Sequence, residues 1–336
     1  MFRTGEAPWQ IKFLVPETFS FEFYDPTCSY PSGTVFYYDM YGPYHDMIVK
    51  HLDQGYRVIF DAKNEHYINM THYYVLYKFL QHPGQGCFLI SGSEADLLPG
   101  VKIIATPYWY WILDQRNLLT LKIDQHARNW QIQKKFFMSL SLQRAERDYL
   151  WEKLGSLLDD SLHSYRHRGV FLPNDCVHDV PVAQDHPSWQ RYINPQWMDS
   201  TAFTLAVETY VDETATTGYS LTSNNNLFLC EKTYKPLAAQ HPLLMVGTSG
   251  NLAYMRSQGF ESFPELFDES YDDISDWQQR VDRIVEIVKD FDVGSVHQPT
   301  VRAKLQHNHA HFFNQELTKK HALETIQQPL LDFIYG

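Results

Sequence analysis

The feature that most constrains the fold is an alternation of short apolar runs with stretches of helical periodicity in the first third of the chain. Helical spacing covers residues 40–54 and 71–81, and the first stretch stops at Gly55. Apolar runs that predict strands flank these stretches, at residues 11–15, 56–60, 87–91 and 101–106. Because strands that alternate with helices pair in parallel, the pattern predicts an α/β domain with helices covering a parallel sheet.

A second unit of strand, turn and helix begins after residue 134. Residues 135–141 predict a strand and residues 148–158 predict an amphipathic helix. The turn between them lacks the glycines of a dinucleotide-binding fingerprint and carries Arg144 and Arg147, so guanidinium groups would hold a phosphate there. The alternative is that both arginines lie on an exposed helix start, where the helix dipole disfavours positive charge.

The length of the chain indicates two domains. It has 336 residues, whereas single hydrophobic cores stop growing at roughly 250–300 residues. Residues 124–133 have no clear period, which places a boundary between residues 120 and 134. We expect an N-terminal domain over residues 1–130, a C-terminal domain over residues 131–315 and a last helix over residues 316–336.

Charge and composition narrow the choice of partners. A formal net charge of -12 at pH 7 gives no general attraction to nucleic acid or to an anionic membrane, so phosphate binding must be local. The four cysteines are widely spread without paired metal spacing, which favours free thiols. The first residues lack the apolar core of a signal peptide, and no later run approaches the length of a membrane span. We expect a soluble, cytoplasmic protein.

Residues 228–247 combine charged side chains with an apolar strand. Residues 243–246 predict a buried strand, and Pro236 fits the first turn of a helix that precedes it. The charged residues at the predicted transition from loop to helix are Glu231, Lys232 and Lys235. A helix N-terminus beside lysines suits an anionic ligand.

Carboxylates follow two of the predicted strands, at the edge where parallel sheets bind ligands. Residues 201–210 predict a strand that ends at Glu208, and Asp61 and Glu65 follow the strand at residues 56–60. A carboxylate in this position can act as the general base on an acceptor hydroxyl. The alternative is that these side chains cap helices or line a solvated edge. Other polar residues that follow predicted strands are Lys63, Asn64, His66, Ser93, Glu94 and Asp96.

The last part of the chain, residues 299–334, predicts helical structure. His307 and His311 share one helical face, which suits either a pair of metal ligands or a histidine-lined interface. Since no Asp or Glu stands at partner spacing beside them, we favour the interface.

Several segments carry a family resemblance. They are KFFMSLSLQRAERDYL at residues 135–150, VET at 207–209, CEKTYKPLA at 230–238, GFESF at 259–263 and DESYD at 268–272. Together they resemble a group of glycosyltransferase-like proteins frequent in bacteriophages and marine microbes, which is more distantly similar to the alpha-1,3-fucosyltransferase family. The resemblance implies the GT-B architecture, in which two Rossmann-like domains face each other across a cleft and the C-terminal helix packs back toward the N-terminal domain.

The resemblance also implies roles for single residues. Arg147 matches the family's arginine after the first strand of its C-terminal domain, Glu208 its strand-end glutamate, and Glu231 and Lys232 its glutamate-lysine pair. The carboxylate would bind ribose or sugar hydroxyls, and the cations would neutralise a diphosphate as the glycosidic bond breaks. Together with the residues that the sequence pattern itself singles out, the predicted donor-binding residues are Arg144, Arg147, Glu231, Lys232, Thr233 and Lys235. The catalytic candidates are Asp61, Glu65 and Glu208, and position alone nominates Asp61, and after it Glu65, as the base.

We therefore expect a glycosyltransferase that moves a sugar from a UDP- or GDP-linked donor to a saccharide hydroxyl, without a metal ion or other cofactor. One alternative is a phage DNA glycosyltransferase that acts on a hydroxymethylated or already glycosylated base, for which a basic cleft would be needed. The basic residues near the proposed cleft are Lys63, Arg116, Lys122, Arg128, Lys134 and Lys135. The other alternative is a nucleotide- or carbohydrate-binding module without catalysis.

Overall fold

The computed structural model describes residues 2–4, 21–23, 30, 33–39, 45–62, 70–91, 101–106, 130–172, 195–209, 211 and 227–336. The fold of these residues is α/β with two parallel sheets, one in each of two compact units. The first unit comprises Met1–Tyr110, Thr214–Phe228 and Gln315–Gly336, and the second comprises Trp111–Glu213 and Leu229–Asn314. No helix in the described ranges is long and apolar enough to cross a membrane.

The first unit is built on a six-stranded parallel sheet in the order β2-β1-β3-β4-β5-β6. Its strands are β1 (Phe2–Thr4), β2 (Phe21–Phe23), β3 (Val35–Asp39), β4 (Arg57–Ala62), β5 (Gly86–Ser91) and β6 (Lys102–Thr106). Helix α1 (His45–Asp53) follows β3, and α2 (Met70–Gln81) lies between β4 and β5.

Continuous apolar runs explain why β4 and β5 lie inside this sheet. Val58, Ile59 and Phe60 are successive residues and all are buried, as expected for a parallel strand covered on both faces. Gly55 follows α1 with φ of 83°, a left-handed conformation that favours glycine at a helix end. Gly86 has no room for a side chain, because a Cβ would overlap the ring of Phe79.

The second unit is built on a four-stranded parallel sheet in the order β10-β9-β7-β8. Its strands are β7 (Lys134–Leu140), β8 (Ser161–Tyr165), β9 (Thr201–Val207) and β10 (Leu243–Val246). Its helices are α3 (Ala145–Leu154), α4 (Pro195–Asp199), α5 (Glu231–Ala238), α6 (Asn251–Ser257), α7 (Trp277–Asp290) and α8 (Pro299–Phe312). All seven residues of β9 are buried, so this strand lies at the centre of the unit.

The C-terminal residues belong to the first unit. They form α9 (Gln315–Ala322), a π-helical turn (Leu323–Gln327) and α10 (Gln328–Tyr335). The π-helical turn and α10 contact β6. Arg57 on β4 donates from Nη1 to the carbonyl oxygen of Ile334 at 2.5 Å, which ties the end of the chain to the first sheet.

The expected α/β organisation with parallel sheets is confirmed for the described residues. The strand predicted at residues 243–246 coincides with β10, and those at residues 87–91 and 101–106 differ from β5 and β6 by one residue at one end. The strand predicted at residues 11–15 lies outside the described residues. The sequence pattern does not predict β1, β2, β3 or β8. The boundary expected between residues 120 and 134 falls mostly on residues 107–129, which are also outside the described ranges, so the domain limits stay predictions.

One prediction about a helix is wrong. Helix α5 begins at Glu231, so Pro236 lies near its C-terminal end and not in its first turn, because tertiary packing outweighs local preference there. The helical structure expected over residues 299–334 is confirmed, since α8, α9, the π-helical turn and α10 cover this range except for a short break after Phe312. At that break the chain leaves the second unit and enters the first.

A buried histidine fixes the position of α1 on the first sheet. His51 is 1% exposed, its Nδ1 lies 2.6 Å from the hydroxyl of Tyr38, and its ring stacks on Phe36 with 3.5 Å between centroids. Burial, assisted by the charge of Lys50, lowers the pKa of His51 to about 4. The neutral imidazole is therefore part of the core.

This histidine should make the stability of the first unit depend on pH. The unfolded chain binds a proton at His51 below about pH 6.5, whereas the folded chain does so only below about pH 4. The neutral histidine therefore contributes its full stability to the fold above about pH 6.5, and this stability is lost as the pH falls toward about 4. At about pH 5 the free energy of unfolding should be lower by about 2 kcal/mol. Urea unfolding of wild type and His51→Gln at about pH 7.5 and pH 5 measures it. Equal pH dependence of the two proteins would contradict the assignment.

Candidate functional site

Three neighbouring strands of the second sheet bring the predicted site residues to one edge. β9 pairs in parallel with both β7 and β10, so the carboxyl ends of the three strands meet. Arg144 and Arg147 follow β7, Glu208 follows β9, and Gly247 follows β10. In open parallel sheets this is the edge that binds ligands.

Glu208 connects the end of β9 to the start of α5. Its side chain has no exposed surface. Its Oε2 accepts a hydrogen bond from the backbone N–H of Cys230 at 3.1 Å, and its Oε1 accepts one from the hydroxyl of Thr233 at 2.5 Å. Burial raises the pKa of Glu208, while the charge of Lys232 and these two hydrogen bonds act in the opposite direction. The carboxylate thus holds the start of α5 against the end of β9.

The first turn of α5 carries an ion pair that is buried on one side. Lys232 Nζ lies 2.8 Å from Glu231 Oε1 and 3.3 Å from the sulfur of Cys230. Burial alone would raise the pKa of Glu231, but Lys232 and Lys235 outweigh it and hold that pKa below its usual value. Burial alone would lower the pKa of Lys232, but Cys230, Glu231 and Glu208 raise it. Both groups are therefore charged, and the lysine keeps 21% of its side chain exposed.

Lys235 lies one turn further along α5 and is half-buried. Its pKa is lowered to about 8, chiefly by burial and further by the charge of Lys232, whereas Glu231 and Cys230 act to raise it. An ammonium group with this pKa gains stability from any anion that comes to lie beside it.

Arg147 places a guanidinium group under the turn that follows β7. It is 4% exposed, and its Nη1 donates to the carbonyl oxygen of Leu142 at 3.0 Å. Its Nε is buried and has no hydrogen-bond acceptor among the described residues. Burial lowers the pKa of Arg147, Arg144 lowers it further, and Cys230 raises it, so Arg147 lies within electrostatic range of the start of α5. Buried donors without acceptors are rare and call for an explanation.

The turn after β10 adds two neutral polar side chains that the sequence analysis missed. Thr248 and Asn251 are buried, and neither the Thr248 hydroxyl nor the Asn251 amide group has a hydrogen-bond partner in the described part of the chain. A Cβ on Gly247 would overlap the amide group of Asn251 and would lie 3.5 Å from the Cγ of Glu208. The side chains of Asn251 and Glu208 therefore both lie beside Gly247. The sequence feature that could have indicated these two residues is the run Gly-Thr-Ser-Gly-Asn directly after a buried strand.

The proposed base lies in the first unit. Asp61 is on β4 and 3% exposed, and the hydroxyl of Tyr37 on β3 donates to its Oδ2. The sequence analysis missed this tyrosine, although Tyr37 and Asp61 lie on adjacent strands near their carboxyl ends. Glu65 lies outside the described residues.

The two histidines of α8 bind backbone oxygens. His307 Nε2 is 2.9 Å from the carbonyl oxygen of Gly259, and His311 Nε2 is 2.7 Å from that of Gln258. Their rings stack with 5.9 Å between centroids. Within the described ranges, no three His, Cys, Asp or Glu side chains come together as candidate metal ligands. The pair therefore attaches α8 to the end of α6.

Comparison with models of known protein families gives no match, and no curated protein is significantly similar to this chain. The geometry of the described residues therefore carries the functional argument. The second unit holds seven of the predicted site residues, which are Arg144, Arg147, Glu208, Glu231, Lys232, Thr233 and Lys235.

Two buried threonines test whether Glu208 holds α5 in place. Thr233→Val removes the hydroxyl that binds Glu208 and leaves a buried carboxylate oxygen without a donor, so the free energy of unfolding should fall by about 1–3 kcal/mol. Thr248→Val is the matched control, because it removes a buried hydroxyl without a partner among the described residues and should leave stability equal or slightly higher. Chemical denaturation measures the free energy of unfolding of both variants, and equal losses in the two would contradict the role of Glu208 in holding α5.

Proposed function

We propose that this chain is a GT-B glycosyltransferase that takes a sugar from a nucleoside-diphosphate donor and transfers it to a saccharide hydroxyl without a metal ion. The observation that carries the proposal is the buried Nε of Arg147, which has no acceptor among the described residues although it lies in electrostatic range of the start of α5. A diphosphate oxygen is an acceptor of the required charge, and arginine is suited to phosphate recognition.

The charges at this edge fit a diphosphate. Lys232, Lys235 and Arg147 supply three cations, while Glu231 offsets part of the charge of Lys232. The N-terminus of α5 adds a partial positive charge in the same place. As the bond between sugar and diphosphate breaks, negative charge grows on the leaving phosphate, and prearranged cations stabilise that state more than the intact donor.

The hydrogen bonds of Glu208 change the role proposed for it. Both of its carboxylate oxygens already accept hydrogen bonds from the start of α5, so its role is to position the donor-binding helix. We therefore assign the base to the first unit. Asp61 takes the acceptor proton, and Tyr37 orients its carboxylate by donating a hydrogen bond to Oδ2.

Loss of single cations tests the proposal. Wild type should bind UDP or GDP and release it from the matching sugar donor when a saccharide acceptor is present. Arg147→Lys and Lys232→Met should weaken nucleotide binding by at least about tenfold, because each removes a phosphate contact. Lys304→Met is the matched control, since Lys304 also keeps 21% of its side chain exposed but pairs with Glu265 at 2.7 Å and is not one of the proposed donor contacts.

Isothermal titration calorimetry and an assay of nucleotide release measure these effects. The donor panel includes UDP, GDP, CMP and dTDP sugars, and the acceptor panel includes hydroxymethylated DNA beside saccharides. Binding that is unchanged in both site variants, or lost equally in the Lys304 variant, would refute the donor site. Release only with DNA would reassign the acceptor.

The lowered pKa of Lys235 predicts how affinity for the diphosphate depends on pH. Below about pH 8 the Lys235 ammonium is charged and the affinity for the diphosphate is at its maximum. Above about pH 8 the charged fraction of Lys235 falls, and the affinity should fall by up to about tenfold for each further pH unit. Lys232, whose pKa is raised, stays charged over this range. At about pH 9 the Lys235→Arg variant should keep the affinity that wild type has below about pH 8, because an arginine stays protonated there. A wild-type profile that is flat to about pH 9.5 would contradict the prediction.

A further inference from the structure

Arg280 is the largest fully buried side chain of the described residues and lies outside the proposed donor contacts. It comes from the first half of α7 and is 1% exposed. Its Nε donates to the carbonyl oxygen of Gly247 at 2.8 Å, and its Nη2 donates to that of Val211 at 2.5 Å. Its Nη1 donates to the carbonyl oxygens of Ile274 and Ser275, the latter at 3.2 Å.

These bonds join three separate segments of the second unit. Gly247 directly follows β10, Val211 follows β9 after a short extension, and Ile274 and Ser275 precede α7. Burying a guanidinium group is unfavourable unless its donors are satisfied. Only arginine has a planar fork that can reach carbonyl oxygens in several directions at once. The residue therefore fixes the carboxyl ends of the two strands on which the candidate site is built.

We propose that Arg280 is a positioning residue for the anion site at this edge, an inference that rests on the proposed function. It holds the ends of β9 and β10, and through them Glu208, which follows β9 directly and whose backbone N–H bonds the Val246 carbonyl oxygen at 2.8 Å. Glu208 in turn binds Cys230 and Thr233 in α5. Arg280 acts on the ligand through this series of contacts.

The same contacts place the polar turn after β10. Gly250 adopts the left-handed conformation with φ of 82°, and its N–H bonds the carbonyl oxygen of Asp272 at 3.0 Å. The Asp272 carboxylate accepts the N–H of Leu252 at 3.1 and 3.2 Å. Asp272 belongs to the same stretch before α7 as Ile274 and Ser275, whose carbonyl groups accept from Arg280 Nη1. Arg280 and Asp272 therefore together position the turn that carries Thr248 and Asn251.

Substitutions at two arginines of α7 test the inference. Arg280→Lys keeps the charge but loses the fork, and Arg280→Met keeps the length but loses all donors. Arg283→Lys and Arg283→Met are the matched controls, since Arg283 lies on the same helix, is 38% exposed and pairs with Asp268 and Glu286. For each protein, calorimetry with UDP and GDP gives the dissociation constant, and near-ultraviolet circular dichroism and thermal unfolding report the fold.

Both Arg280 variants should bind the nucleotide that wild type binds at least about tenfold more weakly while keeping a native near-ultraviolet spectrum, because small displacements of a preorganised site have large effects on affinity. The Arg283 variants should bind within about twofold of wild type. Lysine should not rescue binding, which distinguishes the fork from the charge. A folded Arg280 variant with wild-type affinity overturns the inference. If wild type binds no nucleotide, the proposed function fails instead.

Hydrogen exchange of the wild-type protein covers the case in which neither Arg280 variant folds. Without added nucleotide, the amides of Glu208, Gly250 and Leu252 should exchange as slowly as those inside β9, because the contacts of Arg280 hold this edge rigid before any ligand arrives. Fast exchange at these three amides, slowed only by nucleotide, would overturn the inference, because the ligand and not Arg280 would then order the edge.

Discussion

The second unit depends on one buried interaction, the contact of the Glu208 carboxylate with the first turn of α5. A parallel sheet fixes where its strands end, but it does not fix where a helix begins after a long connection. Glu208 does so by accepting hydrogen bonds from the Cys230 amide and the Thr233 hydroxyl. Since α5 carries Lys232 and Lys235, the same contact contributes to the position of both cations.

Burial and charge oppose each other throughout this site. Burial alone would neutralise Glu231 and Lys232, but each keeps the other ionised at 2.8 Å. Lys235 and Arg147 are shifted toward the neutral form by burial. Cations that a fold holds in a buried position have lost part of their favourable interaction with water. An anion that binds beside such cations replaces the interaction that burial removed.

The sequence predicts the parts of this structure that follow from local pattern. The apolar run 243–246 coincides with β10, and the carboxylate after β9 and the charged start of α5 do meet at one edge. It does not predict interactions that depend on distant residues. The burial of Arg280 depends on carbonyl oxygens of three separate segments, and the burial that lowers the pKa of His51 involves packing against Tyr38 and Phe36. The prediction from Pro236 is wrong because proline is favoured early in helices, while tertiary packing tolerates it late in α5.

A nuclear magnetic resonance titration that follows arginine Nε–H groups and backbone amides as UDP or GDP is added tests directly whether Arg147 and the start of α5 bind the diphosphate. We expect the Nε–H resonance of Arg147 to shift markedly, together with the amides of Cys230, Glu231 and Lys232, while the Nε–H of the exposed Arg283 stays in place. Nucleotide binding that moves resonances elsewhere and leaves Arg147 and the start of α5 unchanged would contradict it.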